Sequence, residues 1–165
     1  MSITIDEFRQ FFAKRMENKE ENHFNLLGFT NLQLDYGTAK MEMPYNELLI
    51  GNPDTGIVAD GAMMALLDTC CALASATVKE NISFSPTLDL RVDHMGLPEA
   101  NLPLICEAEV YRHTDTVIFT RCSVHQGDTK RPVARALVNF TPIDKPIIDT
   151  SPDNVKRVVE HGGQA

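Results

Sequence analysis

The chain has 165 residues, enough for one domain of ordinary size with a hydrophobic core of its own. Apolar residues make up 43% and charged residues 23%, with no repetitive or strongly polar tract, which excludes a disordered or fibrous protein. A formal net charge of −8 argues against broad binding to nucleic acid or an anionic membrane, which needs clustered Lys and Arg; a small anionic ligand needs only a local basic patch.

Thr4-Ile5-Asp6-Glu7 has the spacing of a capping box, with Thr4 as N-cap and Glu7 reaching back. Ile5, Phe8, Phe12 and Met16 then recur at helical spacing, which predicts an N-terminal helix over residues 4–17. The same segment carries Asp6, Glu7 and Arg9 and has no continuous apolar stretch, so it does not read as a secretory leader. Asn18 to Asn22 reads as a charged connector. Leu32 and Leu34 alternate with Asn31, Gln33 and Asp35, Tyr36-Gly37 supplies a turn, and Ala39, Met41 and Met43 alternate with Lys40 and Glu42. That is a hairpin with one buried face.

After the loop from Gly51 to Gly56, the stretch Gly61 to Val78 holds no charge except Asp68. Apolar residues occupy every side of it, the mark of a helix buried all round. Gly61, Ala62, Ala65 and Ala72 are small enough to let this helix sit close against a sheet or another helix, and Lys79-Glu80-Asn81 closes it. The second half reads as strands. Thr87, Asp89, Arg91 and Asp93 alternate with Leu88, Leu90 and Val92; Leu104 to Tyr111 and Val117 to Val124 flank a tight link at His113-Thr114-Asp115. Gly127-Asp128 turns into a last strand from Pro132 to Phe140, and Ser151-Pro152 caps a short terminal helix followed by a loose tail. The order defines an α+β domain, an antiparallel sheet wrapped around one central helix. A single domain spans 1–165, with its core at about 26–142 and a C-terminal tail over 143–165.

No segment approaches the length of a membrane span. Cys70, Cys71, Cys106 and Cys122 show no paired C-x-x-C spacing for zinc, and the adjacent Cys70 and Cys71 read as small buried hydrophobes. A reduced, cytoplasmic setting is expected. His23, His94, His113, His125 and His161 form no metal-ligand spacing, and neither a G-x-S-x-G elbow nor a Gly-rich phosphate loop is present.

Asp68 is the residue that points to chemistry. A carboxylate in a buried helix costs several kcal/mol unless it is paired or hydrogen-bonded. Either it serves structure, by reaching a helix end or an Arg such as Arg91, or it is a working base or nucleophile. Asp60 stands where an N-cap of this helix belongs. Free backbone N–H groups at Asp60 and Gly61, with the positive end of the helix, make a natural oxyanion site. Asp68 lies two turns further on, so a carbonyl held at the helix start could come within its reach.

The stretch from Asn52-Pro53-Asp54-Thr55-Gly56 through Ala59-Asp60-Gly61 to Asp68 resembles the signature of hotdog-fold acyl-CoA thioesterases of the phenylacetate-pathway type. Thr87-Leu88-Asp89-Leu90-Arg91-Val92-Asp93 is similar to the strand that follows in that family, and the likeness extends over roughly Leu26 to Pro142. The resemblance implies Asp68 as general base or nucleophile, Thr87 as a hydroxyl that helps place water, and Asn52 as a loop residue near the thioester. It implies oxyanion donors in the backbone N–H groups of Asp60 and Gly61. The family's His-Gly-Gly stands here as Ala59-Asp60-Gly61, which removes an imidazole and adds a carboxylate beside the donors.

The same resemblance implies an acyl-CoA substrate held along the interface of a homodimer or dimer of dimers, without metal or redox cofactor. Met63, Met64, Leu67 and Cys71 are candidates to line the acyl tunnel, with Met64 and Leu67 foremost, although core packing serves equally for most of them. Arg112, Arg121, Lys130, Arg131 and Arg135 are candidate phosphate contacts or a solvated face. The leading expectation is a thioester hydrolase. The alternative is a non-catalytic acyl-thioester-binding or assembly protein of the same fold, and a hotdog dehydratase is weaker because no His is paired with the helical carboxylate.

Overall fold

The computed structural model describes residues 3–17, 23–80, 82–143 and 150–161. In chain order the elements are α1 (Ile5–Glu17), α2 (His23–Leu27), β1 (Thr30–Asp35), β2 (Thr38–Met43), a 3₁₀ turn (Glu47–Leu49), β3 (Ile50–Asn52) and β4 (Ile57–Val58). Then come α3 (Asp60–Thr77), β5 (Thr87–His94), β6 (Leu104–His113), β7 (Ile118–His125), β8 (Ala134–Phe140) and α4 (Pro152–His161). The expected connector Asn18 to Asn22, the residue Asn81 and the tail after His161 lie outside the described residues.

Six strands form one antiparallel sheet in the order β1-β2-β6-β7-β8-β5, and β3 and β4 make a separate ribbon. The inner face of the sheet carries Met41, Met43, Cys106, Val124, Val138 and Phe140, all buried, and α3 packs chiefly against β2, β6 and β7. From the helix come Leu66, Leu67, Cys70, Leu73 and Ala74, none of them exposed. Each such Leu contributes about 1.5–3 kcal/mol of transfer free energy. This is the expected sheet wrapped around one helix.

Both ends of that helix are pinned to the strands. At its C-terminus the Thr77 hydroxyl donates to the Ala74 carbonyl (2.8 Å) and accepts from the Gly37 N–H (2.8 Å), so the β1–β2 turn is tied to the helix end. Gly37 adopts φ +68° there, a conformation that favours glycine. At its N-terminus the Ala59 N–H donates to the Leu49 carbonyl (2.7 Å). A Cβ on Gly51 would stand 2.8 Å from Ala59 Cα, so the approach of β3 to the helix start requires glycine.

The capping box forms as its spacing predicts: the Thr4 N–H donates to Glu7 Oε2 (2.8 Å) and the Glu7 N–H to Thr4 Oγ1 (3.2 Å). It launches α1, whose Phe8, Phe11 and Phe12 are buried. The four cysteines are free thiols in the core. Burial, followed by the sulfurs of Cys122 and Cys70, pushes the Cys106 thiol well above its ordinary range; for Cys71 the contact with Cys122 acts first and burial second. No helix among the described residues is long and apolar enough to cross a membrane.

Strand β5 departs from plain alternation. Leu90 stands opposite Val138 and Val92 opposite Ala136, on the inner face, but Thr87 rather than Leu88 stands opposite Phe140. Two residues of β5 thus oppose one step of β8, a β-bulge at Leu88. Regular pairing would turn Leu88 inward and leave Thr87 outside with Asp89 and Arg91, because one residue of slip reverses the face of every side chain. The bulge turns Thr87 toward α3 and leaves Leu88 56% exposed.

Candidate active site

Helix α3 is not buried all round, as its composition leads one to expect. Asp60, Gly61 and Met64 are exposed, and Ala65, Asp68, Thr69 and Ala72 are half-buried, while the rest of the helix is covered. Positions 61, 64, 65, 68 and 72 share one face at helical spacing. The sheet ends at β5 and wraps only part of the circumference, so this stripe stays open. Its side chains are small or apolar apart from Asp68, which is why composition alone cannot distinguish it from a buried face.

Asp68 is therefore a half-buried carboxylate at the edge of the core. The Thr87 hydroxyl donates to its Oδ1 at 2.8 Å, a contact that depends on the bulge at Leu88. Arg91, the cation that a purely structural role would call on, instead places Nη2 3.1 Å from Asp93 Oδ1. The carboxylate keeps Oδ2 free of any protein hydrogen bond among the described residues, and the Thr87 oxygen retains lone pairs to accept from a water.

The helix start corrects a second expectation. The N-cap is Ala59, extended at φ −61° and ψ 138° and without a side-chain cap bond; Asp60 is the first residue inside the helix. The Ala59 carbonyl accepts from the N–H groups of Ala62 (3.0 Å) and Met63 (3.3 Å). The N–H groups of Asp60 and Gly61 precede the first intrahelical bonds and have no acceptor among the described residues. Asp60 thus leaves these donors unused, and a Cβ built on Gly61 meets nothing within 4 Å. The entrance to the helix N-terminus is open.

Asn52 and Asp68 share no hydrogen bond among the described residues. Asn52 Oδ1 accepts from the Asp54 N–H (3.0 Å) and its carbonyl from the N–H groups of Thr55 (3.2 Å) and Gly56 (2.9 Å), so its hydrogen bonds shape its own loop. Met64 lies on the open stripe at 39% exposure, whereas Leu67, Met63 and Cys71 are buried in the core. Arg121 is held by Glu109 (2.6 Å) beneath the Tyr111 ring on the outer face of the sheet. Arg121 and Arg135 line an outer groove of about 1000 Å³ that contains none of Asp60, Asp68 or Thr87. Lys130 and Arg131 line a smaller cavity of about 400 Å³ with Met95, Leu97 and Leu102. Among the described residues no group of three or more His, Cys, Asp or Glu is placed to hold a metal ion.

Two of the features that shape this site give no periodic signal in the sequence. The β3–β4 ribbon that fixes the helix start is too short for a periodic signal, although Gly51, within β3, marks close backbone approach. The bulge at Leu88 carries no glycine and leaves no trace in the pattern.

Residues 55–133 match the thioesterase superfamily. A protein of solved structure from Pseudomonas aeruginosa is 32% identical, over 84% of this chain and 98% of its own, with a TM-score of 0.69. Zebra fish thioesterase superfamily member 2 (18% identical, 85% and 99% covered, TM-score 0.71) shares the fold. So does the E. coli PaaI protein from the phenylacetic acid degradation operon (15% identical, 85% and 97% covered, TM-score 0.68). No curated protein matches the chain in sequence. The chain has the hotdog thioesterase fold.

Proposed function

We propose that this protein hydrolyses an acyl thioester, an acyl-CoA or a related carrier thioester, to the free acid and thiol. The observation that carries the proposal is the Thr87 hydroxyl donating to Asp68 on an open helix face. Asp68 Oδ1 is occupied by that hydroxyl, so Oδ2 takes the proton of a water that the Thr87 oxygen also positions. The water oxygen attacks the thioester carbon and the carbonyl oxygen becomes an oxyanion. N–H groups of the kind left open at Asp60 and Gly61 receive that charge, aided by the helix dipole. Collapse expels the thiolate, which takes up the proton. Direct attack by Asp68 would give a mixed anhydride that water then opens.

One chain does not supply both halves of this site. Gly61 and Asp68 are seven residues apart, about 10 Å along the helix axis, and the backward tilt of side chains recovers only part of that. Oxyanion donors sit about 3 Å from the oxygen and the attacking atom about 3–3.5 Å from the carbon of the same carbonyl. The half-open stripe of α3 and the edge strand β5 with exposed Leu88 present a face on which a second copy, running antiparallel, brings its helix start to this Asp68. The functional unit is then a homodimer or a dimer of dimers, with Met64 at the acyl chain. Light scattering should find at least a dimer at micromolar concentration; monomer alone would remove the shared site.

A second reading, acyl-thioester binding without turnover, is favoured by one feature. The exposed Asp60 carboxylate lies beside the oxyanion donors, where negative charge opposes the transition state. In the family the resemblance points to, a His-Gly-Gly precedes this helix, and Ala59-Asp60-Gly61 would be the departure. Asp60→Asn removes the charge and keeps the shape and the backbone N–H. Hydrolysis is expected to rise in kcat/KM by about two- to fivefold, the scale of one charge at a helix terminus. A rate that stays level or falls in the folded variant would make Asp60 remote or useful.

Asp68→Asn separates chemistry from packing. The amide oxygen can still accept from Thr87, and no cation is left unpaired because Arg91 is engaged by Asp93. Thiol release should fall by roughly 10²–10⁴-fold, with the melting temperature unchanged or raised. A large drop in melting temperature with turnover per folded molecule intact would overturn the assignment.

A further inference from the structure

We infer that the terminal helices α1 and α4, both outside the segment that matches the family, brace the start of β5 so that Thr87 is held on Asp68, with Phe84 as the positioning residue. The inference rests on the catalytic reading of Asp68 and Thr87.

Thr87 needs a brace because its own strand holds it weakly. Strand β5 is the edge of the sheet, paired on one side only, and the bulge at Leu88 interrupts that pairing next to Thr87. The Thr87–Asp68 bond lies where solvent reaches it, so water competes for both partners. The bond persists only while the backbone at Thr87 is fixed.

The five residues before Thr87 are fixed to an unusual degree. They form no regular element, yet Ile82, Ser83, Phe84 and Ser85 are 7%, 6%, 8% and 4% exposed, although connecting segments ordinarily run over the surface. Each has an anchor. The Thr150 hydroxyl donates to the Ile82 carbonyl (2.8 Å). The Lys79 ammonium donates to Ser83 Oγ (2.7 Å) and Ser85 Oγ (3.4 Å). The Thr141 N–H donates to the Pro86 carbonyl (3.1 Å).

Phe84 is the apolar anchor. Its ring centroid is 5.7 Å from that of Phe8 and 5.6 Å from that of Phe12, both on α1, and Phe12 meets Phe24 edge-on at 5.1 Å. Helix α4 packs against α1 and buries Val155 and Val158. Helix α1 thus closes over the loop that delivers Thr87, three residues past Phe84, and α4 packs against α1.

The test uses the full-length protein and Phe84→Leu, with Phe12→Leu as the milder variant should the first not fold. In crystal structures the Thr87 Oγ1 to Asp68 Oδ1 separation is expected to open from 2.8 Å to beyond hydrogen-bond range. A retained 2.8 Å bond in the variant overturns the brace. Kinetics then completes a double-mutant cycle with Thr87→Val. Phe84→Leu should lower kcat by about tenfold with KM little changed, the scale expected of sub-ångström misplacement, and should lower it no further when Thr87 is already Val. Equal losses in both backgrounds would overturn positioning through Thr87. If Phe84→Leu opens the contact while Thr87→Val leaves kcat unchanged, the brace stands and the catalytic reading of Thr87 fails.

Discussion

The hydrogen bond from Thr87 to Asp68 joins the edge strand of the sheet to the central helix, and the arrangement of the candidate site depends on it. A carboxylate on a helix whose other faces are apolar is tolerable only where it is partly open and hydrogen-bonded. Both conditions are met at one place, the stripe that the sheet leaves uncovered beyond β5. Thr87 reaches that place because Leu88 is extruded as a bulge. An exposed leucine on an edge strand is an aggregation liability unless something covers it. The proposed second copy would cover it while completing the site.

At the other end of the same helix the constraint is backbone geometry. Gly51 allows β3 to approach Ala59, Ala59 is tied to Leu49, and the helix begins with two N–H groups that have no acceptor among the described residues. Asp60 is the element of tension there. It is a favourable residue for a helix first turn, where acidic side chains complement the dipole, and an unfavourable neighbour for a developing oxyanion. Stability of the helix start and strength of the proposed oxyanion site pull in opposite directions at this single position.

Much of the architecture was legible in the residues. The capping box at Thr4 and Glu7, the β1–β2 hairpin, the 18-residue helix and the order of the later strands follow from spacing and turn residues. What escaped has physical causes. Alternation in Thr87 to Asp93 looks unbroken because a bulge adds a residue without altering composition. The open stripe of α3 was invisible because Gly61, Met64, Ala65 and Ala72 are residues that a core also uses. Asp60 was expected to cap the helix, yet the helix begins one residue earlier, with the extended Ala59 as N-cap and Asp60 as its first residue. Helix α2 and the β3–β4 ribbon are too short to show a period. Asp68 and Thr87 were legible as a pair only through the family resemblance, since 19 residues of chain separate them.

The choice between a hydrolase and a protein that only binds acyl thioesters turns on turnover. The most direct measurement is thiol release by the unmodified protein across a panel of acyl-CoAs of different chain length and aromatic character, with binding followed on the same samples. The account predicts saturable, catalytic release of thiol and free acid from at least one class of acyl group. Tight binding of acyl-CoA with no release above the buffer rate would contradict it.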